Sequence, residues 1–435
     1  MKNPMQLWSF LAAVLALSTT VPGQADVNPG DTVTKDNMAQ AEALLTPGTR
    51  WMVERGMLMQ IIETKKVLWP RLYKEATEKY AAQVQLSPEG TELINYVAGC
   101  PFPSIDLNDP LAGFRVIWNH LHSPYFIDNI GTDFVADLIS SKGVVDRSFE
   151  GSWRRLMWIG RLYTEPKPVI PHNPAVDHTN LIGPFFAPND LKGLAAMYFR
   201  YLSNTADDTY LYHPEMRRVR RITEAERSDA IAGSDFDVDS FYGFNGNIRH
   251  WSFRVLAEKQ ILGVVHANKY GDPSAWCAPR DGRHGILAGL PCVPWEKRNM
   301  WIIEATPTGY PRTYAYSKRI LYIDQDFFAP ILQDIYDQQG ELWKSMLGCI
   351  SYTKKPYEDY PIKPLPGAKY NYEDEWLFVP NFVLLDLKRV QATAGDAPPS
   401  GRKRTEWKTE WYFNEPVSIN TPDVYTPHYL TQTSR

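Results

Sequence analysis

The residues with the greatest chemical reach in this chain are clustered. The stretch "YLYHPEMRRVRRI", Tyr210 to Ile222, carries Arg217, Arg218, Arg220 and Arg221. Arginine presents a planar fork of donors that suits phosphates, carboxylates and aromatic faces. Such a run grips a nucleic acid, grips an anionic ligand, or pairs with acids inside the fold. The acids nearest in sequence are Asp235, Asp237 and Asp239 of "GSDFDVDSFYGF", spaced to share one face of a strand. Paired carboxylates do acid–base work or balance arginines. On a strand, Arg217, Val219 and Arg221 would point one way and Arg218, Arg220 and Ile222 the other. That split disfavours a single nucleic-acid-facing patch. It favours an Arg–Tyr–Asp network on a hairpin, with an anionic-ligand site at the mouth of a cavity as the alternative.

Other polar clusters are weaker. "HNPAVDH" places His172, Asp177 and His178 at a spacing that could serve a metal, but with Pro174 it reads as a polar surface loop. In "WNHLH", His120 and His122 are two apart on an expected helix and so lie on different faces. Asp324 and Asp326 of "YIDQDFF" resemble part of a calcium loop without its glycine and downstream glutamate, so a solvated turn is expected. G-x-S-x-G, H-E-x-x-H, P-loop and G-x-G-x-x-G patterns are all missing. No catalytic residue, metal ligand or cofactor is therefore assigned.

Composition narrows the classes. Lysine plus arginine number 46 and aspartate plus glutamate 50, a net charge of -4. A nucleic-acid binder normally carries a basic domain, so no nucleic-acid partner is expected. At the N-terminus, Lys2 precedes the apolar run Leu7–Leu17 and then small residues, with Gly23 and Ala25 ahead of a cut. That is the pattern of a secretory signal over residues 1–25, too short to span a bilayer. The expected location is the periplasm, with no integral membrane segment after cleavage. Export permits disulfides. Cys277 and Cys292 bracket a short Gly- and Pro-containing loop and are the better pair; Cys100 with Cys349 is the weaker one.

Elements must position these groups. Helical signals run through Asn37–Leu45, "WPRLYKEATEKYAAQV" with a stripe at Leu72, Ala76, Tyr80 and Val84, "LSPEGTELINYV" after Ser87-Pro88, and "NDPLAGFRVIWNHL" after Asp109-Pro110. From about Asp146 the texture is aromatic and β-branched with turn residues every 8–12 positions, an antiparallel β body. "HPEM" reads as a hairpin turn. "RNMWIIEATPTGYPRTYAYSKRILYID" and "ILQDIYDQQGELWKSML" each read as two strands, Ser351–Lys369 as a loop, and "TAGDAPPSGRKR" as a surface loop or linker. Helices laid over an antiparallel sheet make an α+β fold. Aromatics are 13 % of the chain. On a curved sheet they would line a concave apolar surface suited to an amphiphile, or simply fill the core. The candidate ligand-binding residues are Tyr210, Tyr212, Arg217, Arg218, Arg220, Arg221, Trp301 and Tyr314.

"DLKGLAAMYFRYLSNTADDTYLYHPEMRRVRRI" followed by "GSDFDVDSFYGF" resembles the shared core of exported proteins with a LolA/LolB-type lipoprotein-carrier fold. "GCPFP", "WNH", "RNMWIIEATPTGYPRTYAYSKRILYIDQD", "YDQQGELWK" and the basic stretch near Arg402 are similar to landmarks of a large periplasmic family of unknown function, often labelled outer-membrane lipoprotein-sorting-like. The resemblance implies one half-barrel domain over residues 26–435: a large curved antiparallel sheet covered on one side by helices, with Pro-rich C-terminal loops. It further implies a carrier or binding protein for a lipid or other hydrophobic molecule. Its partner would be an envelope transporter, an RND-type exporter or an outer-membrane protein. No catalytic residues carry over, and the four cysteines have no counterpart in that pattern. A hydrolase acting on a lipid or ester, built on His120 or His250 with an acid and a nucleophile, is a second reading. A non-catalytic structural adaptor of an envelope complex is a third.

Overall fold

The computed structural model describes residues 27–126, 128–173, 175–223, 226–267, 273–353, 376–397, 412–413 and 420–432. The expected signal over residues 1–25, Lys354–Lys369 of the expected loop and residues 398–404 of the expected linker lie outside the described residues. The remaining part of "TAGDAPPSGRKR" is no loop: Thr393–Asp396 belong to a strand.

The helices are α1 Pro47–Glu54, α2 Arg71–Tyr80, α3 Ala112–Leu121 and α4 Pro427–Gln432. The first ten strands are β1 Thr32–Val33, β2 Met59–Ile61, β3 Gln85–Leu86, β4 Leu93–Ile94, β5 Asn129–Ile139, β6 Val145–Met157, β7 Val176–Ala187, β8 Ala195–Tyr201, β9 Asp208–His213 and β10 Arg218–Ile222. The rest are β11 Trp251–Gly263, β12 Pro294–Pro307, β13 Tyr316–Asp324, β14 Pro330–Asp337, β15 Leu342–Thr353, β16 Trp376–Asp386, β17 Gln391–Asp396 and β18 Tyr412–Phe413.

One large sheet dominates. From β11 to β17 the strands follow chain order as antiparallel neighbours; β17 then pairs β5, and β5 to β10 again follow chain order. The end strands β10 and β11 do not pair, so the sheet is open. Six strand-to-strand steps separate β7 from β14, about 29 Å on a flat sheet at ~4.8 Å per step. Yet residues of both strands line one cavity of about 150 Å³, so the sheet curls into a half-barrel. The fold is α+β: a large curved antiparallel sheet with helical cover.

Period-two alternation sorts each strand between the two faces. Leu138, Ala136, Phe134 and Thr132 of β5 share the concave face with Thr393, Phe382, Met346 and Gln333, as the pairing register dictates. Ile139, Leu385, Leu347 and Asp334 face the other way. α3 packs against β11 on the concave side. α2 docks on its end, where the Tyr73 hydroxyl donates to the His122 carbonyl at 2.8 Å. Elsewhere the convex face is covered in patches. α1 touches Asp334 and Ser345 there, so closely that a β-carbon on Gly48 would fall 1.8 Å from Ser345 Oγ. The loop closed by the Cys277–Cys292 disulfide lies over β17 and β5. α4 lies over β9 and β10. Cys100 and Cys349 are free thiols, both buried.

Local chemistry explains where the elements match the expectations and where they differ. α3 forms but starts later than Asp109-Pro110: its first residue is Ala112 and its N-cap is Leu111, with no side-chain cap bond, while the Asp109 carboxylate accepts from Leu111 N at 2.8 Å in the turn before it. α2 forms, and Ala76 of the expected stripe is buried, but Leu72 and Tyr80 are only half-buried and Tyr73 and Thr77 are buried instead. "LSPEGTELINYV" is not a helix. It makes the β3–β4 hairpin, because Gly90 turns at a φ of +78° and Phe114 leaves no room for a β-carbon there. Thr46 and Thr49 form a reciprocal cap on α1.

Candidate functional site

The concave face has an apolar end and an ionic end. At the apolar end, Phe134, Phe149, Trp153, Ile182 and Phe185 from β5–β7 face Ile331, Met346 and Phe382 from β14–β16. The segment Ile231–Gly243 roofs the space between them with Ile231, Phe236, Phe241 and Tyr242. It is built of two short 3₁₀ turns, with Ala232 and Tyr242 in left-handed conformation. The cavity is about 150 Å³, and its walls are almost wholly apolar. A wider, more polar cleft of about 810 Å³ lies outside this interior, between α2 and Pro101–Ser104.

At the ionic end the roof is fastened down. Arg200 holds Asp207 through Nε at 2.7 Å and Nη2 at 2.8 Å. Arg227 bridges Asp207 at 3.2 Å and Asp239 at 2.7 Å, and the Tyr314 hydroxyl donates to Asp239 at 2.8 Å. Arg319 pairs with Asp237 at 3.0 Å, and Tyr316 donates to the same carboxylate at 2.8 Å. Asp235 accepts from Thr393 and Gln391, each at 2.8 Å. Burial opposes the charge on Asp207, but the two guanidinium groups outweigh it and hold its carboxyl below the ordinary range. For Asp235, burial prevails and its carboxyl is raised. The three acids are therefore not on one face of a strand; each fastens the roof to a different partner.

The histidines of the sequence motifs are interior. His122 Nε2 and His178 Nδ1 both engage Asp177, at 2.9 and 2.7 Å. Asp177 and His178 lie on β7 and are fully buried, so "HNPAVDH" is not a surface loop at its C-terminal end: the strand's register carries them beneath α3. Burial pushes His178 down to about 3 and His120 down to about 4, which keeps both neutral near pH 7. His120 meets the Phe244 carbonyl at 2.9 Å rather than an acid. Asp324 is no solvated turn residue; it is buried and bound to Arg298 at 2.7 Å. Among the described residues, no group of three or more His, Cys, Asp or Glu side chains could hold a metal. No described helix is long and apolar enough to cross a membrane.

The sheet separates the eight candidate ligand residues. Tyr210, Tyr212 and Arg221 share the convex face of β9–β10, where Tyr212 is buried with Tyr425 and Leu430. Arg218 and Arg220 sit on the opposite face of β10, both exposed, and Arg217 occupies the hairpin turn. Arg221 pairs with Asp208, and Arg220 lies 3.7 Å from Glu226. Tyr201 of the neighbouring strand β8 also donates to Asp208, at 2.7 Å. The Asp235–Asp239 run serves Arg227 and Arg319 instead. Trp301 stacks on Phe328, and Tyr314 belongs to the roof's anchorage. None of the eight lines the apolar cavity. The lining of Phe134, Phe149 and Trp153 was visible only as alternation in "TDFVAD" and "SFEGSW", a signal any half-buried strand gives.

An open antiparallel sheet curled round an apolar hollow defines a class of protein able to enclose a hydrophobic group. The chain belongs to the family described as "Protein of unknown function (DUF1329)", matched over residues 32–415. The uncharacterized protein PA3922 of Pseudomonas aeruginosa is 25 % identical over 333 residues, covering 74 % of this chain and 69 % of that protein. Among solved structures, a putative outer membrane lipoprotein-sorting protein domain from Vibrio parahaemolyticus is similar at 15 % identity and a TM-score of 0.43, covering 70 % of this chain and 92 % of that one. A DUF1329 family protein from Desulfovibrio piger gives 15 % and 0.42 with the same coverage. A LolA superfamily protein from Nitrosomonas europaea gives 12 % and 0.32, covering 64 % of this chain and 88 % of that one.

Proposed function

We propose that this protein is a periplasmic carrier or binding protein for a lipid or other hydrophobic molecule, working with an envelope transporter. The observation that carries this reading is the aromatic-walled cavity inside the curled sheet, closed by a roof that polar anchors hold down. The driving force is removal of apolar cargo surface from water, at ~25 cal/mol per Å². The disulfide fits an oxidising compartment, and residues 1–25 are read as the export signal.

At about 150 Å³ the cavity takes a group about the size of benzene. A longer chain requires Ile231–Gly243 to lift. The apolar side of that segment faces the cargo, while Asp235, Asp237 and Asp239 return it to the sheet. Loading and release are thus a contest between cargo burial and the roof's polar anchors. The test is native mass spectrometry of protein purified from periplasm, with extraction and identification of bound lipid. A co-purifying acyl species near one per chain is expected. A clean apo mass with no uptake of added lipids would overturn the carrier reading.

A further inference from the structure

Arg155 is out of place for an arginine. It sits on β6, two residues from Trp153 and on the same concave face, and is 1 % exposed. No carboxylate pairs with it among the described residues. The guanidinium reaches one protein acceptor, the Leu121 carbonyl at the end of α3, through Nη2 at 3.1 Å. Its Nε is buried with no hydrogen-bond partner. The remaining compensation is aromatic: the Phe126 ring at 4.0 Å and the Tyr242 ring at 5.8 Å. The buried arginines of the roof's anchorage, Arg200, Arg227 and Arg319, each have a carboxylate. An unpaired buried charge is among the costliest arrangements in a protein.

Its place in the fold suggests what would complete it. The cavity wall facing Arg155 is made of Tyr125, Trp153 and Tyr242. Tyr125 packs on Phe126 at 4.5 Å, and Phe126 lies directly under the guanidinium. Arg155 is therefore one side-chain layer behind the apolar cavity. Tyr242, which belongs to the roof, is part of that layer. Asp177, an acid whose charge favours that of Arg155, is already committed to His122 and His178.

We infer that Arg155 is the anchor for the carboxylate of an amphiphilic ligand whose apolar tail occupies the cavity. This rests on the carrier reading above and narrows its cargo to single-chain carboxylic acids. The planar fork of arginine matches a carboxylate by two parallel hydrogen bonds. When the roof lifts and takes Tyr242 with it, the guanidinium is uncovered towards the cavity beside Phe126 and Trp153, an approach that suits a small planar group and not a bulky hydrated headgroup.

The test is competition of dodecanoate and methyl dodecanoate for a neutral fluorescent probe, N-phenyl-1-naphthylamine, bound to the full mature chain at pH 7.5. Wild type is expected to favour the acid over the ester by about tenfold or more, the effect of hydrogen bonds to a charged group. Arg155→Met, of similar volume, should reduce that preference to below about twofold while the ester's affinity stays put. Arg155→Lys keeps the charge without the fork and should retain a reduced preference. If the methionine variant does not fold, the lysine variant decides: an unchanged preference counts against the inference. Equal competition by acid and ester in wild type, or a preference that survives in Arg155→Met, overturns the carboxylate anchor and leaves the hydrophobic carrier standing. Failure of the probe and both competitors to bind overturns both.

Discussion

Arg319 and Asp237 meet at 3.0 Å with neither side chain reaching solvent. The pair joins β13 to the roof of the cavity. Tyr316 and Ser240 complete the carboxylate's hydrogen bonds, each at 2.8 Å. Attraction in a dry site is strong, but so is the desolvation it offsets. Breaking such a pair leaves one charge stranded. Asp237→Ala is expected to lose about 3–5 kcal/mol in urea unfolding, and the double variant Asp237→Ala with Arg319→Met to recover a large part of it. Additive losses would show that the two side chains act independently.

Asp334 gives a pH dependence. Its carboxyl is fully buried and meets only neutral donors, Ser345 Oγ at 2.8 Å, Tyr322 OH at 3.1 Å and the Gly48 backbone N–H. Burial raises it to about 6 from an ordinary 3.8. The folded state therefore holds this proton more tightly than the unfolded chain. Stability contributed by the group is present below pH 4 and is lost as pH rises to about 6, at roughly 1.4 kcal/mol per pKa unit. Asp334→Asn should flatten this part of the pH–stability curve and raise stability at pH 7. A variant that is less stable at pH 7 and keeps the slope would assign the slope to another group.

Filling the cavity separates ligand uptake from folding. Ala136 lines it from the concave face of β5. Ala136→Phe would place a ring in a space of about 150 Å³, enough for one benzene-sized group. Melting should change little while binding of an acyl probe falls by at least about tenfold, or ~1.4 kcal/mol. Undiminished binding would put the ligand elsewhere, with the cleft beside α2 the first place to look.

The arginines of the hairpin are surface groups. Arg218 and Arg220 project from the edge strand into solvent. Their joint replacement by alanine should change stability by no more than about 0.5 kcal/mol and leave acyl-probe uptake unaltered. A clear drop in uptake would return the arginine run to the ligand's path.

The loop joined by Cys277 and Cys292 closes over 15 residues. Replacing both cysteines by serine should cost about 3 kcal/mol, read by chemical denaturation. A negligible change would mean that packing of this loop on β17 and β5 already fixes it.

Much of the architecture was written locally. The strand pairs around "HPEM", across the Pro-Gly turn and across "DQQG", and the α3 start at Asp109-Pro110, follow from turn chemistry and periodicity within a few residues. The α+β class follows from helical signals that precede a long β texture. "LSPEGTELINYV" misled because Ser-Pro mimics a helix start, while Gly90 and the packing of Phe114 against it favour a hairpin.

The site was not local in this sense. Residue types and periodicity established that a β body follows the helices and that arginines, acids and tyrosines would be available to each other; its onset, expected near Asp146, lies earlier, at Asn129 in β5. Tertiary structure alone decided which faces meet. The β17–β5 pairing and the curl of the sheet bring Phe134 and Ile331 to one cavity from distant parts of the chain. They bury Arg155, Arg200, Arg227 and Arg319 while leaving Arg218 and Arg220 in solvent. Composition and spacing name the charges; strand register and sheet curvature decide which of them lose their water, and with it which must find a partner.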